Sequence, residues 1–455
     1  MVNSMTTASL EQWFSQQHQM LPQTSAVSVT GRITGISGIL LESSLPQARI
    51  GDLCRVSRAQ DGEIMAEVVG FNPQHTLLSA LGPLDGIAQG ARVTPLFQPH
   101  SIAVSDALLG SVLDGFGRAL DEQSLSAFAL ASENANTTSV LADAPPPTDR
   151  PRIDSPLPTG IRAIDGMLTI GIGQRVGVFA GAGCGKTTLL AEMARNTPCD
   201  VIVFGLIGER GRELREFLDH ELDAELRART VLICSTSDRS SMERARAAFT
   251  ATSIAEAFRD RGKNVLLIID SLTRFARAQR EIGLALGEPP GRGGLPPSVY
   301  TLLPGLLERA GKTSRGAITA LYSVLIEQDS MNDPVADEVR SLIDGHIVLA
   351  RRLAERGHYP AIDVLASLSR TMGSVVEKAQ VGEASAVRQL MSAYQQVEML
   401  IRLGEYQPGN DATVDAAVQA QDAINGFLRQ ANHEPSDFAV TRKKLQEVAR
   451  RAPSR

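Results

Sequence analysis

The sequence predicts an α/β fold with a mainly parallel central sheet, preceded by a small β domain and followed by a helical segment. Strand-length apolar runs recur along the middle of the 455-residue chain. Helix-length amphipathic segments separate them, a pattern typical of a parallel sheet with helices on both faces. Shorter apolar runs broken by turn residues come before this region, and a helix-only pattern follows it. The length exceeds what one hydrophobic core usually supports, so we expect several domains.

The first element, residues 1–24, is predicted to be a helix. In SLEQWFSQQHQML, the apolar residues Leu10, Trp13 and Phe14, with Leu21 further on, fall roughly on one face. Such a helix docks either on its own protein or on a partner or membrane surface.

The next elements are predicted from turn spacing and composition. Residues 25–100 alternate short apolar runs with turn signals, as in GRITGISGILLE and GEIMAEVVGF, which favours a β-barrel. Residues 101–379 hold the α/β pattern, with a connector rich in Ser, Thr, Asn and Pro at 131–158. Residues 380–455 are helical and end in the basic segment TRKKLQEVARRA, which is either a solvated helix face or a binding surface.

Composition excludes several classes of protein. The net charge is −6 and no basic stripe is evident, so we expect no nucleic-acid partner. The four cysteines are scattered without a CxxC pair, which argues against a zinc site and suits a reducing cytoplasm. No apolar run approaches about 18 residues and no signal peptide is evident. We therefore expect a cytoplasmic protein, with peripheral membrane attachment left open.

A nucleotide site is predicted from VGVFAGAGCGKTTLL, a strand, a glycine-rich turn and a helix start in P-loop spacing, although Ala180 stands where the usual motif opens with Gly. Backbone N–H groups of such a turn surround phosphate oxygens, Lys186 reaches the β and γ phosphates, and Thr187 can ligate Mg²⁺. The predicted nucleotide-binding residues in this turn are Gly181, Ala182, Gly183, Cys184, Gly185, Lys186, Thr187 and Thr188.

The apolar strand NVLLIIDSLTR ends in Asp270. Downstream of a P-loop, a carboxylate in this position is typical of the residue that holds Mg²⁺. We therefore predict Thr187 and Asp270 as the protein ligands of Mg²⁺, with ATP and Mg²⁺ as cofactors.

The stretch LIGERGREL permits two interpretations. Glu209 follows the strand DVIVFGLIG at its carboxyl end, where open α/β sheets place their ligands, so it is a candidate for orienting the attacking water. Glu213 would then support it. Alternatively, both glutamates merely suit the positive end of a helix dipole.

Several long strings resemble the bacterial type III export ATPases, that is, the flagellar export ATPase and its injectisome counterparts, relatives of the catalytic subunits of rotary F-type and V-type ATPases. These strings are GAGCGKTTLL, GLIGERGRELREF, VLLIIDSLTRFARAQREIGLALGEPP, PPSVYTLLPGLLERAG, SLIDGHIVLARRLAERGHYPAIDVLASLSR and GEYQPG. The resemblance implies a RecA-like P-loop core, an N-terminal barrel for oligomerisation, and a C-terminal helical domain that binds substrate, chaperone or stalk.

The resemblance also implies residue roles. Glu209 would be the catalytic carboxylate, with Arg210 near the γ-phosphate and Lys186 completing the catalytic set on this chain. Arg370, in SLSR, would be an arginine finger that reaches the neighbouring subunit's nucleotide. Tyr359, in GHYPAID, would stack on adenine. A chain that carries both Glu209 and Arg370 can build every site from copies of itself, so a closed homohexamer is expected.

The resemblance further implies the partners and the setting. We expect hydrolysis to drive chaperone release, unfolding and export. The partners would be a negative regulator or stator at the N-terminal helix, a coiled-coil central stalk, chaperone–substrate complexes and an export gate at the inner membrane, to which the cytoplasmic protein is peripheral. Cys184 favours the injectisome over the flagellum. Two alternatives stay open, a noncatalytic ring subunit and an RNA translocase; Glu209 argues against the first, and the few N-terminal aromatic and basic residues argue against the second.

Overall fold

The computed structural model of the chain describes residues 29–59, 62–122, 124–127, 129, 137–326 and 333–452. The helix predicted for residues 1–24 lies outside the described residues. The chain divides into two units, Met1–Pro99 and His100–Arg455.

The described part of the first unit is a closed antiparallel barrel with strand order β1-β2-β5-β4-β3-β6. Alternation of side chains fills its interior, since Cys54 and Val56 are buried while Arg55 between them is exposed. The predicted barrel is therefore confirmed. Its strands are β1 (Gly31–Ser37), β2 (Leu40–Ser43), β3 (Asp52–Arg58), β4 (Gly62–Phe71), β5 (Thr76–Ala80) and β6 (Arg92–Pro99).

The second unit contains thirteen further strands in its described residues. They are β7 (Ser101–Ala103), β8 (Val112–Leu113), β9 (Thr137–Ser139), β10 (Pro156–Leu157), β11 (Ile170–Gly171), β12 (Arg175–Ala180), β13 (Val201–Glu209), β14 (Thr230–Thr236), β15 (Asn264–Asp270), β16 (Gly311–Lys312), β17 (Ala317–Leu325), β18 (Gly345–Leu349) and β19 (Leu368–Ser369).

Its helices are α1 (Arg162–Met167), α2 (Lys186–Asn196), α3 (Gly211–Glu216), α4 (Ala224–Ala228), α5 (Ser241–Arg259), α6 (Leu272–Ala285), α7 (Pro297–Leu307), α8 (Pro334–Leu342), α9 (Arg351–Ala354), α10 (Met372–Val375), α11 (Lys378–Leu403), α12 (Ala412–Leu428) and α13 (Phe438–Ala449). A π-helical turn covers Phe217–Glu221, and 3₁₀ turns cover Asp106–Leu108, Pro147–Asp149 and Arg292–Gly294. Within the described ranges, no helix is long and apolar enough to cross a membrane.

The central sheet has the order β19-β18-β12-β17-β15-β13-β14-β8, with β16 paired to β17. Its neighbours are parallel except for the pairs β16–β17 and β18–β19. The central strand β13, VIVFGLIGE, is buried almost throughout because both faces of the sheet are covered. The predicted mainly parallel α/β core is confirmed.

Local sequence explains where the longer helices begin. The side chains of the cap residues accept hydrogen bonds from backbone N–H groups in the first turn and so satisfy donors that the helix leaves free. These caps are Ser240 for α5, Ser271 for α6, Asp333 for α8, Asp411 for α12 and Asp437 for α13.

The C-terminal helices α11, α12 and α13 pack on α1 within the second unit. Their buried Leu390, Ile424 and Leu445 join the same apolar cluster as Val176 and Val178 of β12. This packing brings the loop between α12 and α13 to α2, where the backbone N–H of His433 donates to Glu192 Oε2 at 3.3 Å.

Candidate active site

The glycine-rich turn joins β12 to α2 in the predicted strand–turn–helix arrangement. Gly183 and Gly185 both have φ of +80°, in the left-handed region that L side chains rarely adopt. A Cβ on Gly183 would meet no atom within 4 Å, so its backbone conformation, rather than crowding, favours glycine here. Ala182 is exposed in the turn, whereas Gly181 and Cys184 are buried.

Lys186, at the start of α2, points toward the carboxyl end of the sheet. Its Nζ donates to Asp270 Oδ1 at 2.5 Å and to Ser323 Oγ at 3.3 Å. Ser323 Oγ in turn donates to Asp270 Oδ1 at 2.6 Å. The sequence analysis missed Ser323, because it lies within the apolar run of β17 and is adjacent to Asp270 only through the sheet order.

Glu209 ends β13, and a cavity of about 380 Å³ opens beside it. Burial, then the nearby Asp270 carboxylate, then a hydrogen bond with Glu213 raise the pKa of Glu209 from 4.5 to about 7. The same hydrogen bond is the main cause of the lowered pKa of Glu213. This contact favours the protonated form of Glu209 and the ionised form of Glu213.

Arg274, in the first turn of α6, is a second residue that the sequence analysis missed. Its buried Nε has no hydrogen-bond partner among the described residues and lies 3.5 Å from Glu209 Oε1. Gly208 makes room for it, since a Cβ there would lie 2.8 Å from Arg274 Cδ. Its position four residues after Asp270, on a helix that starts at the sheet edge, was the available sequence signal.

The same cavity is lined by Thr187, Glu209, Glu213 and Asp270. Among the described residues, no cluster of three or more His, Cys, Asp or Glu side chains could hold a metal by itself. One hydroxyl and one carboxylate beside a phosphate-binding turn nevertheless fit Mg²⁺, which usually takes one or two protein ligands and completes its shell with phosphate oxygens and water.

Tyr359 lies beside the turn, with ring atoms 3.7–3.8 Å from where a Cβ on Gly185 would be. The side chain is about half exposed and lines a second cavity, of about 370 Å³, with Cys184, Gly185 and Thr188. Gln430, Ala431 and Asn432, from the loop between α12 and α13, form its other wall. The sequence analysis missed these three residues because nothing local connects them to the turn.

Arg370 lies away from these groups. It follows β19, whose Ser369 pairs with Gly345 at the amino end of β18. The glycine-rich turn follows Ala180, which pairs with Leu349 at the carboxyl end of the same strand. At about 3.3 Å per residue, the four-residue separation amounts to roughly 13 Å along the strand.

The side chains of Arg370 and Arg210 differ in their contacts. Arg370 is exposed, and its side chain makes no hydrogen bond or ion pair with any residue that the structure describes. Arg210 is also exposed and contacts Glu213 Oε1 at 3.4 Å. The structure thus unites Lys186, Thr187, Glu209 and Asp270 within one protomer and leaves Arg370 outside their reach.

Two protein-family models match the chain. The first describes the ATP synthase alpha/beta family, nucleotide-binding domain, and matches residues 160–369. The second describes the T3SS EscN ATPase C-terminal domain and matches residues 376–447. Together they cover every strand of the central sheet except β8, both cavities and nearly all of the C-terminal helices.

Whole-chain comparisons agree with these matches. The type 3 secretion system ATPase of Pseudomonas syringae pv. tomato is 65% identical over 98% of this chain and 99% of that protein. The flagellum-specific ATP synthase of Treponema pallidum is 45% identical over 92% of this chain and 93% of that protein.

Among solved structures, the assembled ATPase EscN from the type III secretion system of enteropathogenic E. coli has a TM-score of 0.85. It is 45% identical and covers 92% of this chain and 100% of its own. EscN in complex with its central stalk EscO has a TM-score of 0.84 at 44% identity, with the same coverage. The chain shares this identity with its relatives over nearly its full length, and its P-loop and nearby carboxylates suit ATP hydrolysis. It is therefore an ATP-hydrolysing enzyme that belongs to the type 3 secretion system ATPase family.

Proposed function

We propose that this chain hydrolyses ATP in a homohexameric ring and drives protein export by an injectisome, with Glu209, Lys186, Arg210 and Arg370 as its catalytic residues. The observation that carries the residue assignment is the convergence of four strand ends. In the order β12, β17, β15 and β13, they present Lys186, Ser323, Asp270 and Glu209 along one edge of the sheet. Thr187, Glu209 and Asp270 line one cavity, and Lys186 donates to Asp270 at its edge, which supports roles for these residues in orienting water, binding Mg²⁺ and binding phosphate.

Lys186 and the N–H groups of the glycine-rich turn would hold the triphosphate of ATP, since both present positive charge at the start of α2. Thr187 Oγ1 and Asp270 would hold Mg²⁺, which when bound neutralises charge that develops on the phosphate oxygens. Such positioning and charge stabilisation supply most of the catalysis in this class of reaction.

Glu209 would orient the attacking water and accept its proton. This role requires the ionised form of the side chain. A pKa near 7 leaves a large fraction of Glu209 ionised at neutral pH, and the carboxylate still binds a proton strongly enough to act as a general base. Arg274 and Lys186 both lower this pKa and so favour the ionised form. Arg210, at the start of α3, would approach the γ-phosphate.

The position of Arg370 supports a ring. A side chain at the amino edge of the sheet cannot reach phosphates at the carboxyl edge of its own protomer, but an exposed arginine is available to a neighbouring copy. The structure of the assembled EscN supports assembly, and the EscN–EscO complex supports a central stalk partner. We propose the same for this chain, with residues 25–100 as the oligomerisation domain and 380–455 as the domain that binds stalk, chaperone and substrate.

The remaining partners follow from the family. We propose that residues 1–24 bind a negative regulator or stator, that chaperone–substrate complexes and an inner-membrane export gate are further partners, and that the enzyme works in the cytoplasm, peripheral to that membrane, without nucleic acid. The injectisome is favoured because the Pseudomonas type 3 secretion ATPase is 65% identical and the Treponema flagellar protein 45%.

The substitution Glu209→Gln tests the catalytic assignment. We expect nucleotide affinity and ring assembly to be retained and kcat to fall by about 10²- to 10⁴-fold, the usual contribution of a positioned base. Asp219→Asn is the matched control, because it removes one carboxylate from the neighbouring helical turn outside the cavity. Near-normal hydrolysis by Glu209→Gln would rule out the assignment.

A further inference from the structure

The two residues that flank Arg370 in the chain both bind one buried amide, that of Gln174. Gln174 is fully buried and immediately precedes β12. Its Nε2 donates to the backbone oxygen of Asp344 at 3.2 Å and to Ser369 Oγ at 3.4 Å. Its Oε1 accepts from Thr371 Oγ1 at 2.5 Å. The residues on both sides of Arg370 in the chain therefore bind the same side chain.

The orientation of this amide is determined by its surroundings. Gln174 Oε1 also accepts from the backbone N–H of Gly171 at 2.8 Å, which only the carbonyl end of the amide can do. The NH₂ end then faces the Asp344 carbonyl oxygen, which can only accept. That same carbonyl accepts the backbone N–H of Arg370 at 3.0 Å.

The space around the amide is equally restricted. Gly345 lies against it, and a Cβ there would be 2.9 Å from Gln174 Nε2 and 2.7 Å from the Leu368 backbone oxygen. Ser369 Oγ also donates to the Thr169 backbone oxygen at 2.9 Å and lies 3.4 Å from Thr371 Oγ1. The finger segment, Ser369 to Thr371, is thus fixed on its buried side, while the Arg370 side chain remains exposed.

Gln174 lies between the strand that leads into the glycine-rich turn and the residues that flank Arg370. It precedes the strand that ends in the glycine-rich turn of its own protomer, and it holds the residues that flank an arginine exposed to the neighbouring copy. A shift of β12 along its axis would therefore move the base of the finger with it.

We propose that Gln174 is a positioning residue for Arg370, which sets the placement of the arginine finger in the neighbouring subunit's active site and couples it to the P-loop strand. This inference rests on the proposed role of Arg370 as a finger acting between subunits. Gln174 touches no nucleotide itself. Its effect is on the transition state, because a displaced finger leaves substrate binding intact and loses charge stabilisation.

The test is a double-mutant cycle in steady-state hydrolysis at saturating ATP with Gln174→Leu, Arg370→Ala and the double variant, all at protein concentrations that saturate ring assembly. We expect Gln174→Leu to lower kcat about 10- to 100-fold, as a displacement of about 1 Å does, with unchanged affinity for a fluorescent ATP analogue. The double variant should be no slower than Arg370→Ala alone, because both changes remove the same interaction.

Two threonines provide a smaller, matched comparison. Thr371→Val removes the hydroxyl that binds Gln174, whereas Thr319→Val removes one that accepts from the Gly173 N–H at 2.8 Å and touches no residue of the finger segment. We expect Thr371→Val to lower kcat several-fold and Thr319→Val to leave it unchanged. If Gln174→Leu fails to assemble, Thr371→Val takes its place in the cycle.

Three outcomes separate the possibilities. A wild-type kcat for Gln174→Leu overturns the role of Gln174. So does a double variant whose loss in kcat is the product of the losses in the two single variants. Neither result contradicts the role of Arg370 as a finger. A wild-type kcat for Arg370→Ala instead overturns the proposed finger, and the role of Gln174 with it. If kcat falls in both single variants and the double variant is no slower than Arg370→Ala, the result supports both the finger role of Arg370 and the positioning role of Gln174.

Discussion

At the scale of single residues, Glu209 and Glu213 shift each other's pKa in opposite directions. Partial burial and the nearby Asp270 carboxylate disfavour the charged form of Glu209, whereas Glu213 on the adjacent turn is half exposed and its pKa is lowered. The Glu209–Glu213 hydrogen bond raises one pKa and lowers the other, whereas Arg274 favours the ionised form of both. Asp270 and Glu213 raise the pKa of Glu209 and Arg274 lowers it, and together they set the pH at which the proposed base ionises.

The pH profile of kcat/KM should show this balance. We expect the wild-type rate to rise with pH through about 7 as Glu209 ionises. Glu213→Gln should move this limb to lower pH, because it removes the anionic acceptor that stabilises the protonated form. Arg274→Gln should move it to higher pH, because it removes a cation that stabilises the carboxylate.

The control for both variants is Glu209→Gln, whose residual rate should lack this limb. Equal profiles for all of the variants would show that the limb belongs to another group.

Stability should depend on the protonation of Glu209, with a definite sign. Because the pKa of Glu209 is about 7 in the folded chain and 4.5 otherwise, the folded state binds more protons between these values. The free energy of unfolding therefore falls as pH rises from 4.5 to 7. In thermal unfolding without nucleotide, Glu209→Gln should be more stable than wild type at pH 8, by roughly 1–3 kcal/mol. The difference should nearly vanish at pH 5, and a difference that stays constant would contradict the shift.

At the scale of elements, the loop between α12 and α13 builds one wall of the cavity beside the glycine-rich turn. The backbone N–H of Gln430 donates to the Tyr359 backbone oxygen at 2.9 Å, and its side chain donates to the Gly160 backbone oxygen at 2.7 Å. The Tyr359 segment and the C-terminal helices are thus joined at this point. A C-terminal segment that lies far away in the chain thereby contributes to the cavity beside the glycine-rich turn.

Tyr359→Ala tests the adenine assignment. Loss of stacking on a base costs about 1–3 kcal/mol, so KM for ATP should rise about tenfold or more while kcat changes little. Tyr359→Phe keeps the ring and should behave as wild type. An unchanged KM for the alanine variant would place the base elsewhere.

At the scale of the whole molecule, a single protomer carries every proposed catalytic group, but its Arg370 lies too far from its own Lys186 and Glu209 to act with them. The amino edge of the sheet carries Arg370 and the carboxyl edge carries Lys186 and Glu209, so the proposed finger would complete the site of another protomer and not its own. Closed rings of identical subunits satisfy this arrangement at every interface.

Specific activity should consequently rise with protein concentration. Arginine fingers contribute about 10³- to 10⁵-fold to hydrolysis in this class, so dilute wild-type protein and Arg370→Ala at any concentration should both be slow. Arg402→Ala, an exposed and ion-paired arginine on α11, is the control. A specific activity independent of concentration, measured together with the assembly state, would contradict a site completed by a second copy.

Much of this molecule could be predicted from the sequence. The apolar periodicity predicted the barrel and the parallel sheet, because burial imposes a regular pattern on each strand. Spacing within one turn predicted the P-loop and its Lys186 and Thr187. Asp270 and Glu209 were found because each ends an apolar strand, and the resemblance to a family added Arg370 and Tyr359.

Local patterns and the resemblance together thus determined the fold class, the phosphate-binding turn and the predicted site residues on this chain. Only the tertiary structure decided which distant residues join them. The order β12-β17-β15-β13 brings Ser323 to Asp270, the start of α6 brings Arg274 to Glu209, and the packing of α12 brings Gln430 to Tyr359. The antiparallel β19 likewise places the finger segment on Gln174. These contacts depend on strand order and helix packing, which arise from burial across the whole chain and leave no mark on the spacing of neighbouring residues.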